Sequence, residues 1–275
     1  MYSNYQMTDL RITLIQSNLH WENCDKNLDT FSQKISSLKE KTDLIVLPEM
    51  FNTGFTMNAK DCAEEMNGKT MEWLRSKAKE RNCVVTGGLI VREKSTSDSS
   101  ANDVYYNRLI WMKPDGSFQQ YDKRHLFRLA EEQKTFTAGN KKIICEINEW
   151  KICPLICYDL RFPVWSRRTR QEDYDVLIYV ANWPDQRIHA WKQLLIARAI
   201  ENQCYVAGVN RIGNDGRNIS HSGFSAVHDF KGMQVSKSNG ENESIETITL
   251  NKSELIDFRK QFPFDQDADG FRIVS

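Results

Sequence analysis

The chain carries no net charge: among its 275 residues, 37 lysines and arginines stand against 37 aspartates and glutamates. Without a net positive field, it is not drawn as a whole to nucleic acid or to an anionic membrane surface. It also lacks any apolar run near the roughly 20 residues that a spanning helix needs. The opening stretch MYSNYQMTDLRITLIQ does not have the charged-then-apolar order of a secretory signal. Paired-cysteine signatures are missing too. The seven cysteines are odd in number and scattered, at 24, 62, 83, 145, 153, 157 and 204. That is a poor disulfide framework and suits a reducing compartment. Cys153 and Cys157 stand four apart with Cys145 upstream, but no CxxC pair or HxH accompanies them, so neither a metal site nor a cofactor is expected. These absences predict a cytoplasmic protein with no nucleic-acid partner and no membrane.

What is present is an ordinary globular composition, with 40% hydrophobic residues. A chain of this size buries about three-quarters of its unfolded surface. LRITLIQ reads as a strand, and Leu28, Phe31, Ile35 and Leu38 follow at helical spacing. TDLIVLPEMF is a short apolar run bounded by Asp43 and Pro48, hence a buried strand. TMEWLRSKAKERN predicts a helix and CVVTGGLIV a third strand, giving the β-α-β-α-β order of a layered α/β fold. REKSTSDSSAND is a polar surface loop. VYYNRLIWMKPDGSFQQYDK is two strands around a Pro-Asp-Gly turn, and KIICEINEWKICPLICYD is a hairpin turning near Asn148 and Glu149. A short helix in FPVWSRRTRQEDY, a strand in DVLIYVANWP and the amphipathic helix RIHAWKQLLIARAIENQ come next. Ile188, Trp191, Leu195 and Ala199 form that helix's stripe. A strand CYVAGVNRIG, a hairpin around Asp229–Gly232 and a helix SELIDFRKQFP complete the reading. No repeat or linker divides the chain, so one domain across 1–275 is expected, with its core at about 10–260.

Three polar residues fall where strands end: Glu49 after LIVLP, Lys123 after FQQYD, and Cys157 after CPLI. Strand ends are where α/β folds place reactive groups. A base, a cation and a thiol in one pocket could break an acyl C–N bond. Each also has a plain structural reading. Free cysteine is among the most buried residue types, Glu49 could cap a turn, and Lys123 in DKRH could sit in a solvated loop. His125 reads as structural, bonding near Lys123. His189, His221 and His228 lack the context of a Cys–His dyad. Trp183 could wall a pocket or pack in the core.

The stretches LIVLPEMFNTGF, YDKRHLF, ICYDLRFPVW and ANWPDQRIHAWKQLLIARAIENQCYVAGVNR occur in the order found in the nitrilase superfamily of carbon–nitrogen hydrolases. The resemblance runs from about Leu10 to about Lys260. It implies a four-layer α-β-β-α sandwich, dimerised through the sheets' outer helices. It also implies that Glu49 is general base, Lys123 oxyanion donor and Cys157 nucleophile; the backbone N–H of Tyr158, next after the thiol, can supply a second oxyanion donor. In EEQKTFTAGN the offset to Gly139 selects Glu132, rather than Glu131, as a second glutamate orienting Lys123 and the substrate; Ala138 replaces the family's common proline. KRHLFRLAEE and CYDLRFPVWSR resemble bacterial omega-amidases, which hydrolyse the terminal amide of 2-oxo acids such as 2-oxoglutaramate. Other superfamily activities stay open: deaminated-glutathione amidase, carbamoylase, nitrilase, or a non-catalytic dimeric interaction module. An anionic amide needs a cation for its distal carboxylate. Arg187, walled by Trp183 at the start of the long helix, is the first candidate. Arg128, where relatives often carry an acid, is the second. Asp159 and Arg161 are expected to brace the turn after Cys157.

Overall fold

The protein is described by a computed structural model over residues 8–95, 103–237 and 240–273. The first seven residues of the opening stretch, and residues 96–102 of the Ser/Asp-rich loop, lie outside the described residues. β1 (Leu10–Gln16) opens the fold. α1 (Cys24–Ser36) begins at Asn23, whose side chain accepts from the N–H of Lys26 and satisfies one free donor of the first turn. β2 (Leu44–Val46) is followed by the short α2 (Ala59–Cys62) and by α3 (Lys69–Arg81). β3 (Val84–Lys94) and β4 (Asp103–Met112) form a long antiparallel pair, and β5 (Phe118–Asp122) returns after Gly116, whose φ of +83° closes the Pro-Asp-Gly turn.

β6 (Cys145–Ile147) and β7 (Trp150–Ile156) pair across Asn148 and Glu149. β6 reaches only Ile152, so Pro154 stands beyond its partner on that side, where a missing N–H is tolerated. α4 (Pro163–Ser166), β8 (Val176–Ala181), α5 (Ile188–Asn202) and β9 (Tyr205–Asn210) follow. β10 (Ile212–Asn214) and β11 (Ser220–Ser222) make a separate two-stranded ribbon. β12 (Ala226–His228), β13 (Ser244–Leu250) and α6 (Lys252–Gln261) complete the order.

The strands form two large sheets, ordered β13-β1-β2-β3-β4-β5 and β12-β9-β8-β7-β6. The period of two assigns their faces. Leu10, Ile12, Leu14, Leu44 and Val46 point into one cluster with Leu155, Ile156 and Val180 of the other sheet. Ile15 and Ile45 point the opposite way, to Leu28 and Phe31 of α1 and Leu74 of α3. α5 covers the outer face of the second sheet with Trp191, Leu195 and Ala199. This is the expected α-β-β-α sandwich. No helix among the described residues is long and apolar enough to cross a membrane.

Several elements depart from the sequence reading, α2 and the β10–β11 ribbon among them. β13 is absent from it, yet pairs with β1 along all seven residues; only Ile248 and Leu250 are buried there, so its apolar alternation is thin. The second arm of the hairpin around Asp229–Gly232 is a single bridge, His228 to Gln234. The strand read through TDLIVLPEMF contracts to three residues, because Pro48 cannot continue the ladder and begins the turn that carries Glu49.

Candidate active site

The exits of β2, β5 and β7 meet at one end of the sandwich. After β2, the turn holding Glu49 lies flat on β3: the N–H of Gly88 donates to Pro48 O at 3.1 Å, and that of Phe51 donates to Gly88 O at 2.9 Å. A Cβ at Gly88 would come within 3.1 Å of the Glu49 Cα and 3.0 Å of the Met50 nitrogen, so a side chain there would press on the turn that carries Glu49. Lys123 follows β5 directly. Its N–H donates to Asn107 O, and its carbonyl accepts from the N–H of Gly139, both at 2.9 Å. A Cβ at Gly139 would run into the Asp122 carbonyl oxygen. Ala138 beside it is exposed, so the missing proline leaves no gap.

Cys157 follows β7 at once and has a φ of +42°. A left-handed conformation costs a side-chain-bearing residue roughly 1–3 kcal/mol and persists only where its surroundings impose it. Asp159, fully buried, imposes it here. Its carboxylate accepts from Ile156 N at 3.1 Å, Tyr121 Oη at 2.7 Å, His125 N at 3.0 Å and His125 Nδ1 at 2.8 Å. The His125 ring stacks on Phe162 at 3.7 Å. Asp159 and His125 thus brace the turn. Arg161 does not: its guanidinium lies over the Trp183 ring, at 4.9 Å, and faces the cavity.

Glu49, Glu132 and Lys123 converge out of solvent. Lys123 Nζ donates to Glu49 Oε1 at 2.8 Å and to Glu132 Oε2 and Oε1 at 2.9 and 3.1 Å. Burial disfavours the ammonium, but the two carboxylates outweigh it and raise the Lys123 pKa, so the cation is held. Burial raises the Glu132 pKa, Lys123 opposing and Glu49 adding to it. Glu132 also accepts from Phe127 N at 2.6 Å. Glu131, left-handed at φ +57°, points to solvent. Cys157 sits within this electrostatic field. Burial and then Glu49 push its thiol pKa well above the ordinary value, with Lys123 opposing, so the resting sulfur is protonated. Its Sγ lies 4.0 Å from the Asn182 carbonyl oxygen. The N–H of that same Asn182 donates to Glu49 Oε2 at 2.9 Å.

A cavity opens over this group, lined by Lys123 and Cys157 and walled by Phe55, Phe127, Tyr158 and Trp183. Trp183 is both wall and core: it packs on Trp191 at 5.5 Å and donates through Nε1 to Arg187 O at 2.8 Å. Arg187 lines the cavity with its guanidinium over the Phe127 ring, at 5.1 Å. Burial, and then Arg161, lower its pKa from the ordinary arginine value. Neither Arg161 nor Arg187 has a carboxylate partner among the described residues. Arg128 is a correction. It begins a 3-10 turn, Arg128–Ala130, whose fold sends its side chain into solvent, and it does not line the cavity.

The sequence reading passed over Asn107, Asn182, Arg161 as a lining residue, and His221. His221 lines the cavity, and burial, then Arg211, push its pKa down to about 4, so the ring is neutral near neutrality. The signal for Asn107 was available, since an asparagine stands within the apolar strand VYYNRLIW. The signal for Asn182 was its place at the exit of VLIYVANWP. Among the described residues, no group of three or more acids, cysteines or histidines is arranged to hold a metal.

A buried thiol, an ammonium and two carboxylates at the strand ends of an α-β-β-α sandwich define a hydrolytic class, and the chain belongs to the carbon–nitrogen hydrolase family, whose model matches residues 11–260. It is 40% identical to the Omega-amidase YafV of Escherichia coli strain K12, over 97% of this chain and 100% of that protein. It is 33% identical to the 2-oxoglutaramate amidase of Bacillus subtilis strain 168, over 93% of this chain and 96% of that one. In structure it is similar to XC1258 of Xanthomonas campestris, a CN-hydrolase superfamily protein, with a TM-score of 0.91 and 40% identity over 98% of this chain and 100% of that chain. It is also similar to Nit3 of Saccharomyces cerevisiae, with a TM-score of 0.82 and 25% identity over 96% of this chain and 97% of that chain.

Proposed function

We propose that the protein is an omega-amidase that hydrolyses the terminal amide of small 2-oxo acid amides, 2-oxoglutaramate and 2-oxosuccinamate, to the carboxylate and ammonia. Glu49 takes the proton of the Cys157 thiol as the sulfur attacks the amide carbon. The carbonyl oxygen becomes an oxyanion held by Lys123 Nζ and the N–H of Tyr158, in the way preorganised donors stabilise developing charge. Glu132 keeps Lys123 protonated and oriented. Protonated Glu49 then gives its proton to the departing nitrogen, ammonia leaves, and a thioester remains on Cys157. Glu49 next removes a proton from water, which attacks the thioester carbon. The product acid leaves, and the sulfur regains its proton from Glu49. One carboxylate serves both halves by alternating its protonation state.

The observation that carries the substrate assignment is the pair Arg161 and Arg187, two cations without carboxylate partners among the described residues, facing the cavity that holds Cys157. Each repels the other, and an anion between them relieves both. The carboxylate of a 2-oxo acid amide, at the end away from the scissile bond, is such an anion. Two relatives of the chain bear the names omega-amidase and 2-oxoglutaramate amidase, which agrees with it. Arg187→Ala is expected to raise KM for 2-oxoglutaramate by about 10- to 100-fold, the range of one charge-assisted hydrogen bond. It should change KM for a neutral amide of equal length by no more than about threefold. Equal effects on the two amides in steady-state kinetics would refute the assignment.

We also propose a homodimer formed through the helical layer outside the second sheet. Ile200 on α5 and Met233 and Val235 beside it are exposed apolar side chains, 47%, 64% and 42% open. Gly232 abuts Ile200, so the segment that carries Met233 and Val235 runs beside α5. Sedimentation velocity at micromolar concentration should give a dimer and, for Ile200→Asp, a shift to monomer; an Ile200→Asp variant sedimenting like the parent contradicts this face.

A further inference from the structure

We infer that Asn107 is a positioning residue whose carboxamide sets the two carboxylates of the site and leaves Glu49 Oε2 as the atom that receives the thiol proton. The inference rests on the reading of Glu49 as general base. Asn107 lies in β4, fully buried. Its Nδ2 donates to Glu49 Oε1 at 2.8 Å and to Glu132 Oε1 at 2.9 Å. A carboxamide nitrogen has two hydrogens, so both are committed. Lys123 Nζ spans the same two carboxylates. The four groups therefore close a ring in which two anions alternate with one cation and one neutral double donor.

The neutral member has a consequence. Two carboxylates this close repel, and one would otherwise take a proton. Lys123 supplies one positive charge between them. Asn107 supplies two further donors without a proton that can leave, so it favours both ionised forms and cannot itself act as an acid. A flipped carboxamide would aim Oδ1 at two carboxylates, which fixes the orientation without reference to any partner of Oδ1. That oxygen is buried and has no hydrogen-bond partner among the described residues. Leaving a buried acceptor unmet is costly, and the arrangement persists because both hydrogens face anions. The backbone carbonyl of the same residue accepts the N–H of Lys123, so Asn107 also anchors the ammonium's chain.

Counting lone pairs then identifies the basic atom. Glu49 Oε1 accepts from Lys123 and Asn107 and is filled. Oε2 accepts one bond, from Asn182 N, and keeps a site open. Asn182, which donates to Oε2, also holds its carbonyl oxygen 4.0 Å from Cys157 Sγ, so Oε2 is the carboxylate oxygen tied to the residue beside the thiol.

The test compares Asn107→Leu, close in shape but without donors, and Asn107→Ser, smaller and with one donor, against the parent protein. Two readouts are used, each across pH: amide turnover, and alkylation of Cys157 by iodoacetamide followed by peptide mass. Asn107→Leu should lower kcat by about 100-fold, the order for losing a preorganised donor, with KM within about threefold. Donors to a carboxylate lower its pKa, so their loss raises it and the base is protonated up to a higher pH. The acid limb of both profiles should therefore move upward by about one pH unit, and the deficit should shrink as pH rises. Asn107→Ser should fall between Leu and the parent, and it is read in the same way if the leucine variant does not fold. A uniform fall at every pH, with an unmoved alkylation profile, would show a merely structural residue and overturn the inference. Unchanged kcat and profiles would do the same. A shifted alkylation profile in a protein that turns over no amide would uphold Asn107 and refute the amidase reading instead.

Discussion

Cys157→Ala should abolish ammonia release, a fall of about 10⁴-fold or more, the order that follows removal of a covalent nucleophile. The fold should survive. Alanine removes one sulfur atom from a cavity wall, and an emptied wall costs less than an emptied core site. The brace of the turn, Asp159 with Ile156, Tyr121 and His125, does not involve the thiol. Thermal melting should therefore move by no more than a few degrees. Cys153→Ala is the control. Cys153 lies in the interior of β7, fully buried among the sheet residues, and burial raises its thiol pKa. That variant should lose stability of about 1–2 kcal/mol and keep its kcat. Turnover and melting temperature, measured together for both variants, separate chemistry from packing. Full activity in Cys157→Ala, or loss only through unfolding, would return Cys157 to the ranks of buried core cysteines.

Glu49→Gln should lower kcat by about 1,000-fold or more, within the range that a positioned general base contributes. Two losses coincide. An amide oxygen is too weak a base to take the thiol proton, and that thiol is protonated at rest. The carboxylate also accepts three N–H donors, from Lys123, Asn107 and Asn182. A carboxamide has only one oxygen to offer, so its NH₂ would face at least one of those donors. Raising the pH should not restore the variant: losing the Glu49 charge eases ionisation of the thiol, but no group remains to pass a proton to the departing nitrogen or to activate water against the thioester. Stopped-time assays of ammonia across pH check this. A Glu49→Gln variant that recovers parental kcat at high pH would mean that solvent or another group deprotonates Cys157, and Glu49 would lose its role.

How much of this was legible in the sequence depends on the kind of signal each part leaves. Helices α1, α3, α5 and α6 announced themselves through their spacing, and β1, β3, β7 and β9 through their apolar runs. β13 did not, because an edge strand with two buried residues leaves little hydrophobic pattern. The convergence of Glu49, Lys123 and Cys157 was legible only as three strand ends. That these ends meet is a product of sheet order, which long-range strand pairing sets and no local pattern encodes.

The remaining parts failed for identifiable reasons. Arg187 and Arg128 were the first and second candidates for the distal carboxylate, both of them arginines near site motifs. Only the 3-10 turn at Arg128 and the helix entry at Arg187 separate them, one into solvent and one into the cavity. Arg161 looked like a brace because it adjoins Asp159, but its side chain crosses to Trp183. Asn107 was hidden because a lone asparagine in a strand has many structural explanations. Its two carboxylate partners come from elsewhere in the chain, Glu49 from 58 residues away and Glu132 from 25.

The most direct test of the amidase account is ammonia release from a panel of 2-oxoglutaramate, 2-oxosuccinamate, glutamine, a nitrile and an N-carbamoyl amino acid, each at equal concentration with the purified protein. The account predicts that the two 2-oxo acid amides are turned over with kcat/KM at least about 100-fold above the other three, a gap of about 2.7 kcal/mol in transition-state binding. It predicts one ammonia released for each carboxylate formed. Preferential turnover of the nitrile or the carbamoyl compound, or no ammonia from any member of the panel, would contradict it.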